Sequence, residues 1–216
     1  MIRNINITIL LMLASFSASS VEIGLGSTFW GNSSISIPIR TEHYIFEPFI
    51  SHWSYEYANE DQPSSESTSV SNYKSAIENN SIGLGIYAYQ ALAENFSINY
   101  GVKLGYIKTE EKTYNYYSYQ SDSNGNISVS QDANNSDGSG YFVGPELGLE
   151  YKAYKNIYVG INAYMTYTNT KSTGTSEEYS YYNTLYSSVE EFDKQRTSSA
   201  RSSTSTGSNL KVRLYF

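Results

Sequence analysis

The chain ends in the stretch Gly207-Ser208-Asn209-Leu210-Lys211-Val212-Arg213-Leu214-Tyr215-Phe216. From Leu210 onward every second residue is apolar, and the residues between them carry a charge or a hydroxyl group. Successive side chains of a β-strand point to opposite faces, so the alternation predicts a strand with one apolar and one polar face. An aromatic end on such a strand is typical of a strand that closes a barrel in a membrane, because the lipid face is apolar and the interface is rich in aromatic side chains. The apolar face comprises Leu210, Val212, Leu214 and Phe216.

The other end of the chain has the pattern of an export signal. Arg3 precedes an almost wholly apolar run over residues 7–16, and small residues follow it. Ala18 and Ser20 fit the −3 and −1 positions of a cleavage site, so we expect a signal peptide over residues 1–20 and a barrel domain over residues 21–216. The apolar run is too short to cross about 30 Å of hydrocarbon as a helix.

Composition narrows the classes of partner. Without Arg3 the chain holds 13 basic and 21 acidic residues, a net charge of −8, which argues against nucleic acid. Cysteine is absent, so no disulfide framework is available. The 23 tyrosines are unusually many, and most lie in alternating segments. Tyrosine combines an apolar ring with a polar hydroxyl, which suits strands and membrane interfaces.

Eight segments of the chain have the alternation of strands, and no segment after residue 20 has a sustained helical periodicity. The predicted strands are residues 21–30, 34–40, 43–57, 81–92, 97–117, 141–153, 157–168 and the C-terminal segment from Leu210. The polar stretches 58–80, 118–140 and 169–206 are expected to be long connections. The connections near 40–42, 93–96 and 154–156 are expected to be short turns.

A sandwich and a barrel are both compatible with alternation alone. Three features favour an eight-stranded antiparallel up-and-down transmembrane β-barrel with long extracellular loops. Short and long connections alternate after the third strand, although the first outer connection, residues 31–33, is short. The number of strands is even, and the inner faces carry glycine and charge, which does not suit a sandwich core. Pro38 lies within the short second strand and has no amide to donate, so we expect a bulge or incomplete pairing there.

The signal peptide, the C-terminal strand and the charged inner faces together resemble the small OmpA/OmpX-like outer-membrane proteins of Gram-negative bacteria. That resemblance implies a location in the outer membrane, with lipopolysaccharide and other lipids as neighbours. It also implies insertion by the barrel-assembly machinery, for which the alternation ending at Phe216 would be the assembly signal.

Charged residues on the inner faces are the main candidates for a site. A charge enclosed in a barrel is costly unless it is paired, and eight strands leave an interior that side chains fill. These residues therefore predict an ion network, acting either as a plug or as a gate for ions. The network is expected to comprise Glu22, Glu47, Lys103, Glu146, Glu150, Lys211 and Arg213.

Two other motifs could carry chemistry. His52 and Ser54 are two residues apart on one predicted strand, a spacing similar to that of the His and Ser of barrel-borne lipid A deacylases, although neighbouring residues do not extend the likeness. Asp122 to Asn126 resembles a calcium loop, but its glycine is misplaced and Ala133 stands where the twelfth-position glutamate belongs. We therefore expect neither an enzyme nor a cofactor or metal.

Function is predicted less sharply than fold, because one fold serves many activities. The tyrosines that follow the fifth and seventh strands predict that both strands extend beyond the membrane, where tyrosine provides rigid contact area for binding. We expect a non-enzymatic barrel with a structural or adhesive role, with its outer loops as the place where an extracellular ligand would bind. The alternatives are a narrow pore for ions or small solutes and, third, a lipid A-modifying hydrolase at His52 and Ser54.

Overall fold

The computed structural model describes residues 21–29, 33–61, 69–120, 126–183 and 188–216 as one antiparallel β-sheet. The expected signal peptide, residues 1–20, lies outside the described residues. The strands are β1 Glu22–Phe29, β2 Ser34–Ser36, β3 Ile39–Arg40, β4 Tyr44–Asp61, β5 Ser69–Ala93, β6 Phe96–Gln120, β7 Ile127–Tyr154, β8 Ile157–Asn183 and β9 Ser188–Tyr215.

The sheet closes on itself to form a barrel. Each strand from β4 to β9 pairs with the next in the chain, and β9 pairs with β1, where Leu214 lies opposite Leu25. The segments β2 and β3 lie end to end between β1 and β4, so the closed ring contains eight strands. The predicted eight-stranded antiparallel barrel is therefore confirmed.

The stagger of the strands can be read from the pairing. Following paired residues around the ring in one direction, Ile50 of β4 pairs with Ile35 of β2, Ile35 with Ser27 of β1, and Ser27 with Val212 of β9. The opposite route through β5, β6, β7 and β8 leads to Ser202. The two routes differ by ten residues (212 minus 202), which is the stagger of the ring. Barrels close through such a stagger, with strands tilted by about 35–45°.

Pro38 interrupts the second strand of the ring without a bulge. The register of β1 against β2 continues unchanged in β3, and so does the register against β4. Of the two expected alternatives, this excludes a bulge and leaves incomplete pairing at Pro38. Proline cannot donate to the ladder, and residues 37 and 38 lose their strand assignment for that reason. The amide of Gly24 still donates to the carbonyl of Pro38 at 2.9 Å, and that of Ile37 to the carbonyl of Pro48 at 3.0 Å, so the ring stays closed.

The polar stretches expected to be loops are mostly strand. Of residues 58–80, 118–140 and 169–206, all those that the structure describes lie in β4 to β9, except Asn126. Their side chains are half-buried or exposed on both faces over long runs, so hydrophobicity does not alternate although the backbone ladder continues. The expected turns are close to their predicted places, at residues 41–43, 94–95 and 155–156.

The two faces of the barrel differ in the way that a bilayer requires. The outward residues over the lower part of the ring are apolar and exposed, among them Ile23, Ile35, Ile82, Leu147 and Ile161. The inward residues at alternating positions are polar and buried, and glycines interspersed along the strands allow close approach of neighbouring groups. None of the described residues forms a helix able to cross a membrane.

Above this band the wall is incomplete in the described residues. The hairpin of β1 and β2 ends at Phe29 and Ser34, whereas β4 to β9 continue well beyond it. Along Ser54–Asp61 on β4 and along Ser188–Asn209 on β9, the edge that faces away from the sheet has no partner strand in the described chain. We call the continuation of β4 to β9 above the band the outer sheet.

Glycine makes room for one large inward side chain. Tyr87 is fully buried, and a Cβ added at Gly85 would clash with its hydroxyl oxygen and lie 2.5 Å from its ring. Gly85→Val should therefore lower the free energy of unfolding by about 1–3 kcal/mol, as overpacking does in other cores. Urea unfolding from lipid vesicles would measure this, with Ala88→Val on the outward face as the control. Equal midpoints for the two variants would contradict the packing of Tyr87 against Gly85.

Candidate functional site: the lumen cluster and the outer sheet

Five buried ionic side chains from three strands meet inside the barrel. Inward positions of β4, β7 and β9 supply Glu47, Glu146, Glu150, Lys211 and Arg213, which we call the lumen cluster. Lys211 Nζ lies 2.9 Å from Glu146 Oε1 and 3.2 Å from Glu47 Oε2. The Arg213 guanidinium bridges Glu47 and Glu150 through separate nitrogens. Every member of the cluster therefore has an oppositely charged partner.

Neutral side chains complete the hydrogen bonding of the carboxylates. Ser36 Oγ donates to Glu47 Oε1 at 2.6 Å, and the Asn162 amide donates to Glu146. Lys211 and Arg213 also lie 5.0 and 5.7 Å from the ring centroid of Tyr87. Burial of a charge is tolerated when it is paired and hydrogen-bonded, and the cluster meets both conditions.

Two residues of the predicted network lie apart from this cluster. Lys103 Nζ is 4.0 Å from the ring centroid of Phe49 and forms no ion pair among the described residues. It lines a cavity of about 280 Å³ above the cluster, together with Ser51, Tyr164 and Glu146. Glu22 is half-buried opposite Arg40 and has no ion pair in the described part of the chain. The structure thus brings five of the seven predicted residues into one linked group.

Sequence reasoning missed a second constriction below the cluster. The guanidinium carbon of Arg40 lies 4.2 Å from the ring centroid of Tyr89, 4.7 Å from that of Tyr158 and 5.6 Å from that of Tyr215. A cation over an aromatic face is attracted by the ring quadrupole. The alternation of side chains along each strand places these rings inward, and this alternation is the sequence signal that could have predicted the group. Together with the cluster, this group occupies the lumen toward the end of the barrel that carries the short turns.

The closing strand has the orientation that its sequence predicts. Lys211, Arg213 and Tyr215 point inward and are buried. The side chains of Leu214 and Phe216 are exposed on the outside, and those of Leu210 and Val212 are half-exposed. The four apolar residues therefore lie on the side that lipid would contact.

His52 contacts the neighbouring strand β5 rather than Ser54. His52 Nδ1 lies 2.9 Å from Asn80 Oδ1 and 3.8 Å from Glu78 Oε1, and both His52 and Ser54 are exposed on the outward face. No hydrogen bond joins His52 to Ser54 in the described residues. Residues 121–125 of the candidate calcium loop lie outside the described residues. Within the described part of the chain, no cluster of three or more His, Asp or Glu side chains is arranged to hold a metal ion.

The outer sheet carries charge on its outward face and aromatic rings on its inward face. On the outward face Lys108 Nζ donates to Glu110 Oε1 at 2.5 Å. This hydrogen bond and the attraction between the charges raise the pKa of Lys108 and lower the pKa of Glu110. A second ion pair of the outer sheet joins Lys194 and Glu177. These cations are therefore already paired with carboxylates.

The inward face of β4 continues from the lumen into a line of aromatic rings. Residues 45, 47 and 49 are buried in the lumen, and the same alternation carries Trp53, Tyr55 and Tyr57 onto the inward face of the outer sheet. Trp53 and Tyr55 are stacked with ring centroids 6.2 Å apart and planes within 5°. Tyr57 contacts Tyr73 of β5 with centroids 6.1 Å apart. We call these four residues the aromatic stripe.

The closed ring, the apolar exterior and the ionic interior define a transmembrane β-barrel of the outer-membrane type. The chain is similar to CarO of Acinetobacter baumannii, with 9% identity over 90% of this chain and 97% of that chain and a TM-score of 0.41. It is also similar to a major outer membrane protein of Thermus thermophilus, with 9% identity over 92% of this chain and 100% of that chain and a TM-score of 0.44.

A third similar structure is Ail, the attachment invasion locus protein of Yersinia pestis, with 11% identity over 92% of this chain and 97% of that chain and a TM-score of 0.33. No family profile and no curated protein matches the sequence. The assignment of the class therefore rests on the strand pairing and the two faces of this chain.

Proposed function

We propose that this protein is a non-enzymatic barrel of the bacterial outer membrane that binds or adheres through its outer sheet. One observation carries the proposal: the lumen is filled by paired ionic side chains, whereas six strands continue outward as an exposed sheet. The closed ring of the barrel then serves as the membrane anchor, and the outer sheet is the surface available for interaction.

The filled lumen supports a role other than transport. Arg213 is completely buried between two carboxylates, and Arg40 is held among three tyrosine rings below it. Opening a path would require buried ions to separate, which is strongly unfavourable when one partner loses the other. The interior of an eight-stranded barrel is about the size that its side chains fill, and the cavity above the cluster has a volume of about 280 Å³.

The length of the outer sheet supports an interaction role. The part of β9 above its pairing with β1, Ser188–Asn209, spans roughly 70 Å along the strand at about 3.3 Å per residue. Tyrosine is frequent on this sheet, including the exposed Tyr117, Tyr119 and Tyr182. A rigid sheet presents such side chains at low cost in conformational entropy, which favours binding.

Lipid and assembly partners follow from the same anchor. The apolar band would contact the acyl chains of outer-membrane lipids and of lipopolysaccharide, and the strand ending at Phe216 would be the segment read by the barrel-assembly machinery. We propose outer-membrane lipids, lipopolysaccharide and the assembly machinery as its partners, and a role without enzymatic activity.

A narrow pore is the competing function, and conductance separates the two. Purified protein in planar bilayers should give no discrete conductance steps, because the lumen cluster and Arg40 obstruct the path. A general porin inserted in the same bilayers would control for detection. Regular steps from the unmodified protein would favour the pore.

The interaction role can be tested with a trimmed barrel. Short turns joining the register partners His52 to Asn80, Lys108 to Ser139 and Lys171 to Ala200 would remove the outer sheet and leave the membrane ring. Cells displaying the full barrel should attach to mucin-coated or collagen-coated surfaces better than cells displaying the trimmed barrel at equal surface amounts. If cells with the full barrel and cells with the trimmed barrel attach equally well to each coated surface, the proposed function is contradicted.

A further inference from the structure

The aromatic stripe is the part of the outer sheet whose chemistry is most specific. We propose that it binds a neutral, extended oligosaccharide whose pyranose rings stack on Trp53, Tyr55, Tyr57 and Tyr73. This inference rests on the proposed surface-binding function and names the ligand class for that surface.

The geometry of the rings suits a chain of flat ligand units. Trp53, Tyr55 and Tyr57 are at alternate positions of one strand, where successive same-face residues are about 6.6–6.8 Å apart. The planes of Trp53 and Tyr55 are parallel within 5° and their ring centroids are 6.2 Å apart, so the two rings form one ordered aromatic unit. Tyr57 and Tyr73 continue the line toward the outer end of the sheet.

Three of the four rings are exposed, and Trp53 is half-buried. Tyr55 and Tyr57 are 49% and 45% exposed although they lie on the inward face of the sheet. They belong to β4, whose free edge above His52 has no partner strand in the described chain. A long ligand can therefore approach from the open side of the described sheet as well as from above.

The side chains around the stripe favour a sugar over an apolar partner. The register places Asn79 and Thr109 beside Trp53 on the same face, and Thr109 Oγ1 donates to Asn79 Oδ1 at 2.7 Å. Thr113 and Asn115 follow beside Tyr57 and Tyr73. Aromatic faces match the C–H faces of pyranose rings, and amide and hydroxyl groups match their equatorial hydroxyls.

Charge on this face favours a neutral saccharide. Among the inward residues 53–59 of β4 and their register partners on β5 and β6, Glu111 is the charged one in the described chain. The lysines of these strands above the lumen, Lys74, Lys108 and Lys112, lie on the outward face. No cation of the described stripe region thus compensates a sulfate or carboxylate of an anionic glycan. The negative charge of Glu111 would repel such a ligand.

The test uses the full-length barrel in lipid nanodiscs free of lipopolysaccharide. Cellohexaose and maltohexaose are titrated calorimetrically, and a heparin hexasaccharide serves as the anionic comparison. Tyr55→Ala and Tyr57→Ala each remove one ring of the stripe, whereas Tyr55→Phe removes only a hydroxyl. Tyr116→Ala is the matched control, since Tyr116 lies on the outward face of the same sheet, away from the stripe.

At least one neutral hexasaccharide should bind, and either alanine variant should raise its Kd about tenfold, as expected for the loss of one stacked ring. Tyr55→Phe and Tyr116→Ala should stay within about threefold of the unmodified protein. The two single-ring variants keep the inference testable if one of them fails to fold, which a heat-dependent gel shift would reveal.

Failure of both neutral sugars to bind, binding of heparin alone, or an unchanged Kd in the folded alanine variants would overturn the saccharide proposal. The trimmed-barrel comparison is independent of it. Attachment to deglycosylated mucin as strong as to untreated mucin, and lost in the trimmed barrel, would preserve the interaction role and show that the partner is a polypeptide.

Discussion

Replacing Arg213 with methionine should lower the free energy of unfolding by about 3–5 kcal/mol, the range typical of breaking a buried ion pair. The variant keeps an unbranched side chain but leaves Glu47 and Glu150 enclosed without this cation. Lys211 would remain within 3.2 Å of Glu47, whereas no other cation lies within ion-pair distance of Glu150 in the described residues. Glu150 should therefore account for most of the loss.

Urea unfolding of the barrel from lipid vesicles would measure this effect. Lys108→Met is the matched control, because Lys108 pairs with Glu110 at the exposed surface and such pairs contribute little. Adding Glu150→Gln to Arg213→Met should restore part of the stability by removing the orphaned charge.

The same experiment on Glu146→Ala should also show destabilisation, since it leaves Lys211 with one carboxylate instead of two. Midpoints equal to that of the Lys108 variant would contradict a cluster closed to water.

Inserting one residue after Asn209 should almost abolish the folded protein in outer-membrane fractions. The insertion moves Lys211 and Arg213 to the lipid face, where a basic residue at the midplane costs about 2–4 kcal/mol. It also moves Leu214 from its place opposite Leu25 and offsets the ladder that closes the barrel. Unpaired backbone groups in hydrocarbon cost several kcal/mol each, so closure and orientation fail together.

Two further variants separate these causes. A two-residue insertion after Asn209 keeps the alternation of faces but still offsets the register, so it should accumulate to an intermediate level. Deletion of Phe216 keeps both faces and the pairing of Leu210–Tyr215, yet should impair insertion if this residue belongs to the assembly signal. The readout is the amount of heat-modifiable protein in membrane fractions. Equal amounts for all variants would show that the C-terminal strand does not direct closure.

The lower half of the barrel could be predicted from sequence because each face of a strand there has one environment. Alternation in Leu210–Phe216 and in its neighbours reports lipid on one side and a polar lumen on the other. The inward direction of Glu47, Glu146 and Arg213 follows from the same rule. Tyrosines marked the outward extension of the fifth and seventh predicted strands, which are β6 and β8. The extensions of β5, β7 and β9 escaped prediction because both faces of the outer sheet are exposed to water, so no change of hydropathy marks the start of β9 at Ser188.

What the sequence determined by itself was the class of fold, the direction of each membrane-facing side chain and the charge of the lumen, since these depend on residue type and position along one strand. The tertiary structure alone decided which charges meet, because pairing across the lumen depends on the ten-residue stagger of the ring. That stagger brings Arg213 to Glu47 and Glu150, leaves Lys103 beside Phe49 and encloses Arg40 among tyrosines. It is a property of barrel closure, which no single strand encodes.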